Sequence, residues 1–404
     1  MEKIGQRLYF ISFILAILSI VFTLIITARQ RELFYFSFYV AMFGLFVERK
    51  NIRLPKMDIS YALIMIGLVK IIWTLVLYRH TQGYGYGDTQ LDAGKKLVVG
   101  GVLIFYITQF SHYLTTFNYR QYLLAAFTMA FVLATSYGLV QIYHGIERID
   151  LSTNRATIAA YIYSTLSILL IYLLIKLKQN AGYRIAVAAI IISSFLIIVM
   201  TGTRAAILSH LLLILLMMLF HFRKIHLKPL LIVIALVGVV GIASYGKYIK
   251  PKIEQTSTEI MLYQKGNDDS SLGSRFSLWR VGLEIFSQHP FGNTVEARQK
   301  QAAEIVAHDP KNQTALAYIT SHLHDELLEA ASLQGIVGLL TVLFFYGYIL
   351  TKSLVQRNTP LLMIGCCMVV YGLTDVLLIS AESLLFYMVC IALFARNNPV
   401  TPES

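Results

Sequence analysis

Twelve apolar stretches follow one another along this chain, near residues 8–27, 31–47, 59–78, 97–115, 121–143, 156–175, 185–203, 205–221, 229–245, 333–351, 359–378 and 382–395. A helix needs roughly 20 apolar residues to cross about 30 Å of hydrocarbon. Inside lipid the backbone must satisfy its own hydrogen bonds, which makes each stretch a predicted helix. The first is expected to stay in the chain, because no small-residue cleavage site follows it and further spans come after. Polar connections are short except at residues 246–332, and long loops in compact proteins usually carry function. The pattern predicts an all-α polytopic membrane protein of about twelve transmembrane helices with one large, partly helical loop. Residues 1–245 hold spans one to nine, 246–332 the loop, and 333–404 the last three spans with a short tail.

Within the loop, "SRFSLWRVGLEIFSQHPFG" (274–292) sets Phe276, Trp279, Leu283 and Phe286 at helical spacing. Ser274 is its expected N-cap, and Pro290 with Gly292 ends it. "VEARQKQAAEIVAHD" (295–309) predicts a second helix, and "GNDDSSLGS" (266–274) a flexible lead-in. The sequence shows no internal repeat.

Composition agrees with lipid burial: 57% of residues are hydrophobic and 14% charged, against about 25% charged in soluble domains. Mean hydropathy is +0.65. The formal charge of +12 invites a nucleic-acid reading, but its placement argues otherwise. Loops on the N-terminal side, from Lys3 to Arg396, carry twice the Lys and Arg of the short loops opposite, from Arg29 to Arg204. That asymmetry follows the positive-inside rule and places both termini in the cytoplasm and the large loop outside. In the loop itself nine Lys and Arg stand against eleven Asp and Glu, so selectivity rests on where single arginines sit. Cys366, Cys367 and Cys390 fall inside the last two spans and read as small core residues with no disulfide framework.

No phosphate-binding GxxxxGK[ST] loop, GxGxxG or Asp-x-Asp pair occurs, so nothing asks for a nucleotide. Asp268 and Asp269, among Gly, Asn and Ser, read as solvated. The Tyr-rich loop "RHTQGYGYGDTQLDAGKK" (79–96) offers faces for sugar rings, but Tyr is common at membrane interfaces. His322 and His324 are two residues apart. On a helix they would diverge, and a zinc site needs further spaced ligands, so no metal is expected. With Ser321 as N-cap of the helix entering the tenth span, His324 lies in its first turn. Positive charge is disfavoured there, and a neutral imidazole accepts a proton from a hydroxyl.

Arg204, in "TGTRAA" (201–206), sits where two spans meet, and an arginine at a hydrocarbon edge normally has a phosphate or carboxylate partner. Arg275 opens the helix expected from Ser274, where guanidinium and helix end together favour an anion. Arg298 reads as a solvated face with a supporting role at most. Asp375, in "YGLTDVLLIS", is placed to orient His324 or pair with an arginine. Lys70 falls mid-span in "IGLVKIIW", where an ionisable group faces the bundle interior or water. Arginines able to hold an anion and one histidine base, all beside the outer leaflet, suit an enzyme joining lipid-linked substrates.

Three of these stretches resemble the bacterial O-antigen ligases, within the wider O-antigen polymerase/ligase group. "TGTRAA" is similar to that family's arginine-bearing span junction, and "LGSRFSLWRVGLEIFSQHPFG" (272–292) to the arginine-to-Pro-Phe-Gly part of its large loop. "HLHDELLEAASLQGIVG" (322–338) matches its histidine motif, with His324, Gly335 and Gly338 in place. Asp325 departs from the Asn, Ser or Gln usual after the histidine. The resemblance implies an architecture like that of GT-C glycosyltransferases. It also implies transfer of O-antigen from undecaprenyl diphosphate to a sugar hydroxyl of lipid A–core, at the periplasmic face of the bacterial inner membrane. Carried over by position, His324 is the general base, Arg204 and Arg275 bind the diphosphate, and Asp375 supports them. The family inverts the anomeric carbon and uses neither ATP nor metal, so no cofactor is expected. An O-antigen polymerase shares the architecture but takes a second lipid-linked repeat as acceptor. A lipid-linked glycan transporter is the alternative of a different class; Lys70 suits it, but the missing repeat and one-sided clustering of polar residues do not.

Overall fold

The computed structural model describes residues 2–77, 85–116, 118–177, 181–221 and 250–395, with residues 238, 242, 245 and 246. The described residues are helical and contain no strand. Helices α1 (Glu2–Phe22), α2 (Thr27–Val47), α3 (Ile59–Leu77), α4 (Gly85–Gln109), α5 (Tyr119–Tyr143), α6 (Ala156–Leu177), α7 (Ala181–Met200) and α8 (Arg204–His221) come first. The insert supplies α9 (Lys250–Gln264), α10 (Ser271–Gln288), α11 (Val295–His308) and the single turn α12 (Ala315–Tyr318). Helices α13 (Glu326–Val355), α14 (Thr359–Gly372) and α15 (Ala381–Phe394) close the chain. Eleven of the twelve expected spans overlap these helices; the ninth, 229–245, lies outside the described residues apart from isolated positions. Among the described residues seven helices are long and apolar enough to cross a membrane, and α14 and α15 are shorter apolar helices.

Burial orders the bundle. Most of α6 (89%) is covered by protein, against 33% for α7 and α8, so α6 is central and the other two face outward. α15 is buried along its length and packs on α4. α3 and α4 approach so closely that a Cβ at Gly67 would lie 2.7 Å from the Gly94 carbonyl oxygen, the small-residue contact that lets membrane helices pack without a hydrophobic driving force.

The two ends of the bundle differ. One is tied by Asn358 Nδ2 to Phe394 O (2.7 Å), Tyr113 Oη to Glu48 Oε1 (2.9 Å) and Lys352 Nζ to Asp58 Oδ2 (3.2 Å). The start of α1 and the end of α15 share this end. The insert caps the other, with a small core of its own: Leu278, Val281 and Ile285 of α10, Ala302, Ile305 and Val306 of α11, then Ala315, Ile319 and Leu323.

Several local expectations change. α10 begins at Ser271, because Ser270 rather than Ser274 accepts the Gly273 N–H (3.0 Å) and caps it. Asp268 is buried, its carboxylate accepting from Ser277 Oγ (2.8 Å) and from the Thr314 N–H (2.8 Å), so the 266–270 lead-in is pinned rather than solvated. The α4 helix starts at Gly85, which turns most of the expected 79–96 loop into its first turns.

α13 is broken at Gly335 (φ 66°, ψ −155°), a backbone region open to glycine almost alone. The Pro290–Gly292 turn of the insert occupies the break. Ile336 N–H donates to Pro290 O (2.8 Å) and Asn293 N–H to Leu333 O (2.9 Å), so groups freed inside the helix are satisfied by the loop, as apolar surroundings require. A Cβ on Gly335 would meet Pro290 O at 2.5 Å and Gly292 N at 2.6 Å. The Pro-Phe-Gly and Gly-x-x-Gly motifs therefore interlock. Gly335→Ala is expected to lower the unfolding midpoint of the detergent-solubilised protein, by strain on the order of 1–3 kcal/mol before the clash. Gly347→Ala, with nothing within 4 Å of the added Cβ, should be neutral or stabilise by about 0.5–1 kcal/mol; equal midpoints for the two would remove the interlock.

Candidate active site

The segment between α12 and α13 carries both histidines, and its conformation departs from expectation. The N-cap of α13 is Asp325, whose carboxylate accepts the Leu328 N–H (2.8 Å), not Ser321. Asp is a strong cap and stands one residue before the helix. His324 is thereby left outside the helix at φ 52°, a region that costs a side-chain-bearing residue on the order of 1–3 kcal/mol. Its neighbours hold it there. Leu323 N–H donates to Glu329 (2.9 Å), Leu323 O accepts Trp279 Nε1–H (3.0 Å), and His324 N–H donates to His322 Nδ1 (3.3 Å).

Glu329 has a second task. Arg298, expected on a solvated face, is fully buried and donates to Glu329 Oε2 (3.1 Å), Ser332 Oγ (3.1 Å) and Ile319 O (2.5 Å). It joins α11 to α13 and cannot touch a substrate. Its helix carries buried Val295, Ala302 and Ile305 on the same face, a 3–4 spacing that was the available signal. One turn before Glu329, the buried Glu326 accepts the Leu378 N–H (2.8 Å) from the turn between α14 and α15. Lys70, buried within α3, donates to Gln90 Oε1 (2.9 Å), which also accepts from Gln334 (3.4 Å). The partner missing from the sequence reading is a glutamine of α4.

The α14–α15 turn brings Asp375 to the histidines. Its Oδ1 lies 3.5 Å from His324 Nδ1 and 3.9 Å from His322 Nδ1. Arg155, at the start of α6, donates to both Asp375 oxygens at 3.1 Å and lies 3.3 Å from His322 Nε2. Burial alone pushes the Asp375 carboxyl up, but the facing His324, the Arg155 charge and His322 outweigh it and hold the group well below the carboxylate range. Burial, and then the neighbouring His324, push His322 down to about 4. Arg155 was counted only as a topogenic charge in the sequence; an arginine directly preceding a span, like Arg204 before α8, was the signal. His322, His324 and Asp375 bring three ligating atoms within 4.8 Å of one another, though the Arg155 guanidinium already against the carboxylate opposes a further cation.

A second group of cations adjoins this one. Arg204 donates in a fork to Glu259, Nη1 to Oε2 (2.9 Å) and Nη2 to Oε1 (2.8 Å). The Leu272 N–H also donates to Glu259 Oε2 (3.1 Å), and Arg204 holds this carboxyl below its ordinary value. The fork expected to meet a diphosphate is filled by a carboxylate. Arg275 is the fifth residue of α10, beyond the first turn, so the helix-end argument does not apply to it. It makes no side-chain hydrogen bond or ion pair among the described residues. Both Arg275 and Arg155 act electrostatically on Tyr161, whose Oη is 3.0 Å from Thr374 Oγ1, next to Asp375. Arg275 and the His324–Asp375 pair thus border one region.

His322 sets a pH dependence. Its folded value of about 4 lies under the ordinary 6.5, so the unfolded chain takes up the proton first as pH falls. Stability is expected to decline from about pH 6.5 toward 4, by at most about 1.4 kcal/mol per pH unit for one proton. Asp375 is depressed below 3.8, so its contribution is complete above that value and does not enter this window. Thermal midpoints at pH 7 and pH 5 check this: His322→Gln should flatten the difference, and an unchanged slope counts against the assignment.

Comparison with known proteins bears on the same residues. A family model described as O-Antigen ligase matches residues 188–343, the part holding Arg204, Glu259, Arg275, Arg298, His322 and His324 but not Arg155 or Asp375. The chain is also 22% identical to the O-antigen ligase of Escherichia coli (strain K12) over 408 aligned positions, which cover 98% of this chain and 96% of that protein. The likeness carried by three short motifs therefore extends along the whole chain: residues 188–343 match the O-antigen ligase family model, and the rest aligns with the Escherichia coli protein.

Proposed function

We propose that this protein transfers O-antigen polysaccharide from undecaprenyl diphosphate to a sugar hydroxyl of lipid A–core, at the periplasmic face of the bacterial inner membrane. The observation that carries the reading is His324, held at φ 52° with Nδ1 3.5 Å from Asp375 Oδ1, beside arginines at the ends of membrane-length helices. With Nδ1–H turned to Asp375, Nε2 keeps its lone pair for the acceptor hydroxyl. This is the division of labour by which a carboxylate orients a histidine base. The separation is at the long end of a hydrogen bond, and such contacts tighten when substrate is present.

In the reaction, the acceptor oxygen attacks the anomeric carbon as its proton passes to His324. The bond from that carbon to the diphosphate breaks with inversion, and undecaprenyl diphosphate departs. Guanidinium groups stabilise the charge that grows on the leaving oxygen, a contribution that is large where water is excluded. Arg275 is the arginine best placed for this, and Arg155 fixes Asp375 and thereby the histidine. The site draws on no nucleotide, and no resident metal is needed. The insert lies on the outer side, with both termini cytoplasmic, as the loop charges require.

His324→Ala is expected to lower transfer by about 10²–10⁴-fold with membrane insertion intact, measured with labelled lipid-linked donor, purified protein and lipid A–core. Transfer within threefold of wild type would remove His324 as base. In the same assay, joining of donor to a second lipid-linked repeat would mark a polymerase, and donor movement without bond formation a transporter. EDTA is expected to leave the rate unchanged; loss that returns on adding a divalent ion would overturn the metal-free reading.

A further inference from the structure

The loop between α5 and α6 is strained and firmly held. Leu151, Ser152 and Asn154 all have positive φ (47°, 65° and 56°), each costing on the order of 1–3 kcal/mol. Gln141 at the end of α5 accepts the N–H groups of Asp150 and Leu151 (both 3.2 Å) and donates to Asp150 Oδ1 (2.8 Å). Ile149 N–H donates to Met200 O (3.3 Å) at the end of α7. A surface connection with no task does not require such a backbone, and this one presents two arginines. Arg155 is accounted for by Asp375.

Arg148 is not. Its Nε–H donates to Thr201 O (2.9 Å), and its side chain lies over Gly202, 3.8 Å from where a Cβ would stand. That places it two residues from Arg204. Arg204 is tied through Glu259 to Leu272, about one turn before Arg275 in α10. Burial, then the nearby charge of Arg275 and later that of Arg204, push the Arg148 guanidinium below its ordinary value. Arg148 over Gly202, Arg204 two residues on, and α10 tied to Arg204 through Glu259 bring the three guanidiniums within electrostatic reach of one another. Glu259 is paired with Arg204, and no ion pair is formed by Arg148 or Arg275 among the described residues. Like charges brought together repel, and the arrangement is favourable once an anion with about two charges sits between the uncompensated pair. Arg148 is exposed as a residue although its guanidinium is partly desolvated by its neighbours, so a ligand can reach it.

We infer that Arg148 is the second guanidinium of the diphosphate site, acting with Arg275, and that Arg204 with Glu259 is a positioning pair that sets the distance between them. This rests on the proposed transfer from a lipid diphosphate and reassigns one of its residues. The ligand chemistry is a diphosphate ester, and phospholipid headgroups are the competing source of phosphate.

Binding of undecaprenyl diphosphate to the full-length protein in detergent, followed by native mass spectrometry, tests it, with undecaprenyl monophosphate and phosphatidylglycerol as parallel arms. Arg148→Gln is expected to weaken diphosphate binding about tenfold or more, the loss of a charge-assisted contact, with an unchanged thermal midpoint. Arg148→Lys should restore it only in part, because the fork is lost. Glu259→Gln is expected to weaken binding by loosening Arg204. Tighter binding in that variant would mean that Arg204 was a ligand waiting behind the carboxylate, and would overturn the inference. So would wild-type affinity in Arg148→Gln, or equal competition by phosphatidylglycerol. Wild-type protein that binds no undecaprenyl diphosphate would instead count against the proposed donor.

Discussion

Glu329, a carboxylate with no access to water, takes hydrogen bonds from Arg298 of α11 and from the Leu323 N–H beside His324. An unpaired charge in that position would cost several kcal/mol, so each partner obliges the others to stay. The consequence is mechanical. The insert cannot shift without uncovering Glu329, and the histidine segment cannot relax from positive φ without giving up the Leu323 N–H contact. Glu326 does the same one turn earlier for the α14–α15 turn that carries Asp375. Two acidic residues at the start of one membrane helix thus hold both halves of the His324–Asp375 pair.

The same helix is broken at Gly335, and the break is filled by the Pro290–Gly292 turn. A continuous helix would offer only side chains to the insert. An interrupted one offers backbone N–H and C=O groups, which fix position more tightly and bury no unpaired polar atom. Side chains carried on loops keep a fixed geometry only when such supports exist. Here they come from the helix, the insert and the strained α5–α6 loop together.

Charge is distributed by the same logic. Arg155, Arg204 and Arg298 each have a buried or nearly buried carboxylate, respectively Asp375, Glu259 and Glu329. Arg148 and Arg275 have none among the described residues. Arginines with internal partners tie helices and loops together, whereas Arg148 and Arg275 keep their guanidiniums clear of any carboxylate among the described residues. Ion pairing, rather than proximity to the motif, separates the two groups.

The spacing of apolar stretches determined the helical membrane architecture, because crossing a hydrocarbon layer constrains length and composition within each segment and needs no knowledge of its neighbours. The long polar interval between spans coincides with the helices α9 to α12, and the "HLHDELLEAASLQGIVG" motif lies where His324 comes within 3.5 Å of Asp375. What the sequence left open were contacts between segments far apart in the chain. Arg155 meets Asp375 across 220 positions and Arg204 meets Glu259 across 55, so their places before spans can signal that each has a partner but not which residue it is. Arg298 shares its helix face with Val295, Ala302 and Ile305, a spacing that marks burial, but its partner Glu329 lies on another helix and is not legible from that segment. Even the cap of α13 moved from Ser321 to Asp325, because the choice among adjacent capping residues depends on where tertiary contacts pull the chain. Periodicity is a property of one segment, whereas a binding site is a property of several brought together, and only the folded chain supplies that.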